Sequence, residues 1–480
     1  MLKIAGRKHE IALMKKALKS EEAGLLAMYG RRRIGKTYLI EKVYSENIVF
    51  ELIGLHGASL RQQLTGFSIT LSAKTKTQNL KIPENWLKAF DSLKNYLNEQ
   101  PKDKKQVVFF DEFPWLDTRR SGFLPAFEHF WNSWASRQPH LLVVICGSAA
   151  SWMLKKVVHN KGGLHNRLTH SIRLLPFTLA ETLEFLNLRN IKLSLFEITQ
   201  LYMCMGGVPH YLKEVEEGMS AAQIINKLAF TKDGMLVKEF LFLYPALFDH
   251  AENHEAIIRA LSTQRSGLTR QQLVELLPFA SGGSLTDWLF DLEESGFIEV
   301  YRPFNKKQKE SLIRLSDEYS LFYLKFIEGK AGKNEMNWLN MANTVQWKSW
   351  AGYAFEGICL KHILPIKKAL GISGLTTTQS SWWYKGRDHK NGAQVDMLID
   401  RPDNTITLME LKYSNSPFSI TKKYAEELRN KIQVFTEVTK TRKNVFCCMI
   451  APWGIDKNEH YLGLVQQQFT LEDLFERKEE

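Results

Sequence analysis

The residues Gly30-Arg31-Arg32-Arg33-Ile34-Gly35-Lys36-Thr37 fit the pattern G-x-x-x-x-G-K-[ST] at every fixed position, and no other feature constrains the chain as much. The pattern asks for a loop whose backbone N–H groups converge on phosphates. Its glycines remove the Cβ atoms that would hold the backbone away. A helix must leave the loop, adding partial positive charge at its N-terminus. The flanks agree, because the apolar run Leu25–Tyr29 reads as a strand entering the loop and Tyr38–Val43 as a helix leaving it. Lys36 then reaches the β- and γ-phosphates of ATP, or the β-phosphate of ADP, and the Thr37 hydroxyl ligates Mg²⁺. The expected nucleotide cradle is Gly30, Arg31, Arg32, Arg33, Ile34, Gly35, Lys36, Thr37 and Tyr38.

Such a loop belongs in an α/β layer. The runs Ile48–Ile53, Val107–Phe110, Leu141–Cys146 and Ile172–Leu175 alternate with helical patterns, which predicts a mainly parallel sheet covered on both faces. The run Val107–Phe110 leads into Asp111-Glu112, roughly seventy residues after the loop. There Asp111 is expected to hold magnesium through water and Glu112 to act as general base. Ser148, after Leu141–Cys146, contacts the γ-phosphate or attacking water, or else caps the helix that follows. Arg167 is either an arginine finger, in cis or towards a neighbouring subunit, or a solvated loop residue.

The chain has 480 residues, 44% hydrophobic and 24% charged, the balance of a soluble protein of two to four domains. No apolar run approaches the roughly 18–20 residues of a membrane span. Met1–Lys19 reads as an amphipathic helix after Gly6-Arg7 rather than a signal peptide. A cytoplasmic location with no membrane partner is therefore expected. Five cysteines without a C-x-x-C pair indicate neither disulfides nor a structural zinc site. The net charge of +12 is weak evidence for nucleic acid: residues 1–40 hold ten Lys/Arg against three Glu, largely around the phosphate loop, and the last hundred residues hold fifteen of each sign.

Pattern changes divide the chain at 1–178, 179–248, 249–330 and 331–480. The second segment is helical. The third reads as helices His254–Leu261, Thr269–Leu277 and Ser284–Ser295, followed by a hairpin of Phe297–Arg302 and Ser311–Leu315. Asp287, Asp291, Glu293 and Glu294 make the third helix acidic, which repels phosphates and favours a lid or interaction module over a DNA reader. Lys306, Lys307 and Lys309 in the hairpin remain able to touch a phosphate backbone.

In the last segment Gln394–Asp400 and Thr405–Tyr413 read as a hairpin around Arg401–Asn404. The hairpin brings Asp396 beside Glu410, and the strand period puts Glu410 and Lys412 on one face. Two carboxylates and a lysine can bind a divalent ion, Mg²⁺ or Mn²⁺, and orient water towards a phosphodiester. Glu356, on a helix from Trp350 to His362, offers a third carboxylate. Trp382-Trp383-Tyr384-Lys385-Gly386-Arg387 suits stacking on bases of DNA or RNA. The same residues also suit an inactive sheet on which Lys412 is salt-bridged to Glu410 or Asp396.

Taken in order, Gly6-Arg7, the phosphate loop, the D-E-F strand end, Gly147-Ser148, Arg167 before Pro176-Phe177, and Gly206-Gly207-Val208-Pro209-x-Tyr211-Leu212 resemble the archaeal-type P-loop ATPases, a branch of the AAA+/STAND class. The resemblance covers roughly the first 240 residues. It implies that Val208 and Pro209 lie against the nucleotide's base and sugar, although a helix breaker explains them equally, and it makes self-association an expectation. Residues 249–330 resemble a winged helix. The Glu, Asp, E-x-K order resembles the PD-(D/E)xK restriction-endonuclease-like superfamily, and more narrowly the domain of unknown function that trails such ATPases; Val395 stands where the nominal motif has Pro. The expected fold class is α/β: a parallel-sheet P-loop ATPase domain with helical lid, a winged helix, and a C-terminal restriction-endonuclease-like domain. The resemblance implies a switch ATPase coupled to a metal-dependent nuclease-like domain acting on nucleic acid, or one whose C-terminal domain only binds. Lys36, Glu112, Arg167 and Lys412 are the catalytic candidates, and Thr37, Asp111, Glu356, Asp396 and Glu410 the metal ligands.

Overall fold

The computed structural model describes residues 4–77, 80–158, 164, 166–248, 250–277, 282–329, 338–341, 344–386 and 392–476. Two compact units emerge. The first is Met1–Pro176 with Leu247–Asp249 and Phe290–Gly296; the second is Phe177–Ala246, His250–Leu289 and Phe297–Glu480.

In the first unit β1 (Gly24–Tyr29), β2 (Ile48–Ile53), β3 (Gln106–Asp111), β4 (Leu141–Gly147) and β5 (His170–Arg173) form one sheet in the order β2-β3-β4-β1-β5. All four pairings are parallel. Strands β1, β3 and β4 are buried throughout, as near-continuous apolar runs covered on both faces should be. Leu25, Ala27 and Tyr29 face an aromatic core with Phe67, Trp86, Phe90 and Phe127 from three helices. Leu26 and Met28 face the opposite core, with Met14 and Ala17 of Lys8–Lys19 and Leu39 and Ile40 of Lys36–Tyr44. The edge strand β5 begins and ends two residues earlier than the apolar run suggests, although Leu174 N–H still donates to Tyr29 O at 2.8 Å. The order has one consequence for the site: β4 lies between β1 and β3, so Gly147-Ser148 emerges between the phosphate loop and Asp111-Glu112.

The tail of helix Gly283–Glu294 also belongs to this unit. Lys155 pairs with Asp291 at 3.5 Å, Arg173 with Glu294 at 3.5 Å, and Arg173 Nη2 donates to Glu293 O at 2.5 Å. Two carboxylates of that helix, Asp291 and Glu294, are thus met by basic side chains of the first unit.

The second unit takes in the helices from Leu179–Leu188 to Met235–Leu243, the segment expected as a lid on the ATPase core. Leu195–Met205 packs on Glu318–Phe322 and on Val345–Lys361. Gly207 passes so close to Phe177 that an added Cβ would lie 1.9 Å from its carbonyl oxygen. A small antiparallel sheet, order β6-β8-β7, consists of β6 (Leu268–Thr269), which lies between helices Ala251–Ser262 and Arg270–Leu276, β7 (Ile298–Tyr301) and β8 (Leu312–Leu315).

A second five-stranded sheet closes the unit, with β9 (Thr378–Tyr384), β10 (Ala393–Asp400), β11 (Thr405–Leu411), β12 (Asn444–Ile450) and β13 (Gln467–Phe469) in the order β13-β12-β11-β10-β9. β9, β10 and β11 are antiparallel, whereas β12 and β13 run parallel to β11. Helix Lys422–Thr439 lays Val434 and Phe435 on Trp382, Val395, Leu398 and Leu408. All five cysteines are buried and free. Among the described residues no helix is long and apolar enough to cross a membrane.

Candidate nucleotide site and carboxylate–lysine site

The phosphate loop links β1 to helix Lys36–Tyr44 through residues in the left-handed region: Gly30 (φ 145°), Arg33 (φ 70°) and Gly35 (φ 87°). A Cβ at Gly30 would lie 2.2 Å from Leu174 O, so only glycine lets the loop leave β1 beside β5. Buried Arg7 supports the far side, its Nη2 donating to Ile34 O at 3.4 Å.

Lys36 is buried, and its ammonium donates to Gly30 O at 2.8 Å and Arg31 O at 2.9 Å. Burial pushes its pKa down, while Cys146, Glu112 and Asp111 pull it back up. The Thr37 hydroxyl donates to Asp111 Oδ2 at 2.8 Å. The next residue, Glu112, sits at φ 44°, turning its carboxylate back over the sheet edge. Ser148 meets it there, its hydroxyl donating to Glu112 Oε2 at 2.8 Å and its N–H at 3.2 Å. Gly147 permits the approach, since a Cβ there would lie 2.7 Å from Pro114 Cδ. A cavity of about 290 Å³ is lined by Arg32, Arg33, Gly35, Lys36, Thr37, Tyr38 and Glu112. Arg32 lies over the Trp115 ring at 5.6 Å and Lys42 over Tyr38 at 5.7 Å. The described geometry therefore gathers Lys36, Thr37, Asp111, Glu112 and Ser148. A hydroxyl and a carboxylate oxygen side by side, as in Thr37 and Asp111, are suitable donors for a hard divalent cation.

Arg167 is exposed in the turn before β5 and does not line this cavity. Val208 and Pro209 are buried in the second unit, where Pro209 opens the short helix Pro209–Leu212. That is the helix-breaking geometry their sequence suggests.

At the C-terminal sheet, β10 carries one extra residue against β9 between Val395 and Leu398. Such a bulge re-aims side chains, and Asp396 lies within it, its Oδ2 accepting from Leu411 N–H at 3.0 Å. Glu410, on β11, is wholly buried. Its oxygens accept from Lys431 Nζ at 2.7 Å each and from Tyr424 Oη at 3.0 Å, with Lys412 Nζ 3.7 Å away. Lys412 also lies 5.0 Å from the Tyr424 ring centroid. Burial, then the Asp396 charge, raises Glu356 to about 8, with Lys412 opposing. The same two causes raise Glu410. Glu356, Asp396, Glu410 and Lys412 thus share one electrostatic neighbourhood.

The expected metal set is not assembled there. Among the described residues no three His, Cys, Asp or Glu side chains are grouped to hold a metal ion. The reason is local, because Lys431 and Tyr424 occupy Glu410 and a backbone N–H occupies Asp396. Lys431 and Tyr424 were not singled out in the sequence: they lie on helix Lys422–Thr439, where Lys431 reads as one more surface cation. In the aromatic run, Trp382 is buried edge-on against Phe435 at 5.1 Å, while Trp383 is half-buried. Arg387 lies outside the described residues.

A family profile described as an ATPase domain predominantly from Archaea matches residues 4–215. An uncharacterized protein of Methanocaldococcus jannaschii is 22% identical over 429 residues, 88% of this chain and 91% of its own. Among solved structures, the Walker-type ATPase PABY2304 of Pyrococcus abyssi is similar with a TM-score of 0.49 at 17% identity, covering 67% of this chain and 96% of that one. The ORC2 protein of Aeropyrum pernix, solved as ADPNP–ADP complexes, has a TM-score of 0.44 at 14% identity, covering 68% and 93%. Residues 4–215 thus carry the profile of an archaeal-type ATPase domain, and the phosphate-loop geometry agrees with it.

Proposed function

We propose that the chain is an ATP-hydrolysing switch whose C-terminal nuclease-like domain acts on nucleic acid. The observation that carries the first half is the Glu112 carboxylate, held by Ser148 at the edge of a cavity that Lys36 and Thr37 also line. On nucleotide binding Lys36 exchanges two loop carbonyls for the β- and γ-phosphates. Thr37 and Asp111 would hold magnesium, which when bound neutralises phosphate charge. Glu112 takes the proton of the attacking water, and Ser148 keeps the carboxylate aimed until the γ-phosphate competes for its hydroxyl. In this reading Arg167 completes the site of a neighbouring copy. The segments 1–178, 179–248, 249–330 and 331–480 serve as ATPase core, lid, winged-helix interaction module and nuclease-like domain.

The second half rests on the shared neighbourhood of Glu356, Asp396, Glu410 and Lys412. One observation favours a different reading of it: Lys431 holds both oxygens of Glu410, the arrangement of a domain that binds without cutting. The test is ATPase and nuclease assays, with Mg²⁺ or Mn²⁺ and labelled DNA or RNA, on wild type, Lys36→Ala and Lys412→Ala. Loss of metal-dependent cleavage in Lys412→Ala with ATPase intact supports the nuclease reading. No cleavage by wild type on any substrate, with or without ATP, assigns the binding-only reading.

A further inference from the structure

We infer that a cleft within the second unit is a channel for single-stranded nucleic acid, leading to Glu356 and Asp396; the inference rests on the nuclease-like reading of those residues. The cleft has a volume of about 1170 Å³. That exceeds the roughly 300–1,000 Å³ typical of small-molecule pockets. Its walls include residues 262–269 leading into β6, β8 with residues 316–325, one face of helix Val345–Lys361, and the facing ends of β9 and β10. Five cations line it, namely Arg265, Arg314, Lys325, Lys361 and Lys385. Three carboxylates oppose them, and one, Glu318, is bound to Lys361 at 2.6 Å. The other two are Glu356 and Asp396, of the carboxylate–lysine site, and outside the lining Glu299 pairs with Arg314 at 2.6 Å, so Arg265 and Lys385 are the cations that carry the argument.

The cations come with flat partners. The Arg265 guanidinium lies 3.5 Å from the centroid of the Tyr353 ring, and both residues are exposed. Arg314 lies over Tyr301 at 5.1 Å. On β9, Trp382 is turned into the core, so its neighbour Trp383 is the ring placed to take a base, with exposed Lys385 two residues on. Aromatic and guanidinium planes interleaved with ammonium groups bind unpaired bases by stacking, at about 1–3 kcal/mol per base, while the cations follow the phosphates. A duplex hides its base faces and cannot use these platforms.

The experiment is fluorescence anisotropy on the full chain in EDTA, which separates binding from any cutting. Labelled oligothymidylate, oligouridylate and a duplex of equal length are compared. The channel predicts that at least one single strand binds about tenfold or more tighter than the duplex. Arg265→Glu and Trp383→Ala each weaken it about tenfold, with ATP hydrolysis unchanged. Arg265 is exposed, so its variant folds even if the tryptophan variant does not. Equal affinity for duplex, binding unaffected by Arg265→Glu, or equal displacement by polyglutamate each overturns the channel. Cleft-dependent strand binding without cleavage in Mn²⁺ supports the channel and removes the nuclease reading. Metal-dependent cleavage of duplex with no strand binding removes the channel and leaves that reading standing.

Discussion

At the scale of single residues, the nucleotide site separates binding from chemistry. Lys36 is a buried charge held by two loop carbonyls, and in the proposed function a phosphate recruits it from them. Lys36→Ala should weaken ATP binding about ten- to hundredfold, the worth of about 1.5–3 kcal/mol for a hydrogen bond to a charged group, as read by titration calorimetry. The carboxylate–lysine site offers a prediction about stability. Lys431→Ala leaves the fully buried Glu410 without its main partner. A broken buried pair costs about 3–5 kcal/mol, and Lys412 and Tyr424 recover part of it. Calorimetric melting should show a lower Tm, largely restored by adding Glu410→Gln, which removes the charge itself. If the double variant melts no higher than the single one, the charge is not the cause.

At the scale of elements, how much the sequence told depended on the range of the forces involved. β1, β3 and β4 were legible because strands buried on both faces must be apolar throughout. The phosphate loop was legible because its geometry needs glycine at fixed places. The Lys431–Glu410 contact spans 21 residues and joins a helix to a strand, so no local pattern announces it. The association of Phe177–Ala246 with the second unit is likewise set by long-range packing. The β10 bulge also escapes a simple alternation, yet it decides where Asp396 points.

One element carries a pH signature. His362, ending helix Val345–Lys361, is buried, its Nδ1 on Ile358 O at 2.8 Å and its Nε2 accepting from Leu179 N–H at 3.0 Å. Both nitrogens are used in the neutral form, and burial pushes the pKa down from 6.5 to about 4. Between those values the unfolded chain binds a proton that the folded chain refuses. Its contribution is therefore complete above pH 6.5 and is lost as pH falls towards 4. The amount is about 3 kcal/mol. Urea midpoints of wild type and His362→Gln should converge as pH drops; a constant gap would exclude His362 as the source.

At the scale of the whole molecule, the +12 charge turns out to be partly structural. Lys155 and Arg173 meet acidic side chains, and Lys361 and Lys431 meet buried or half-buried glutamates. If ATP sets the activity of the second unit, the coupling is reciprocal. Oligonucleotide affinity should then differ between ATP and ADP in wild type and be indifferent to nucleotide in Lys36→Ala. The central claim remains the ATPase switch, and Glu112→Gln tests it most directly, with ATP affinity and single-turnover hydrolysis measured on the same preparation. The account predicts unchanged affinity and hydrolysis slowed about 10²–10⁴-fold, the worth of a general base; hydrolysis at the wild-type rate would contradict it.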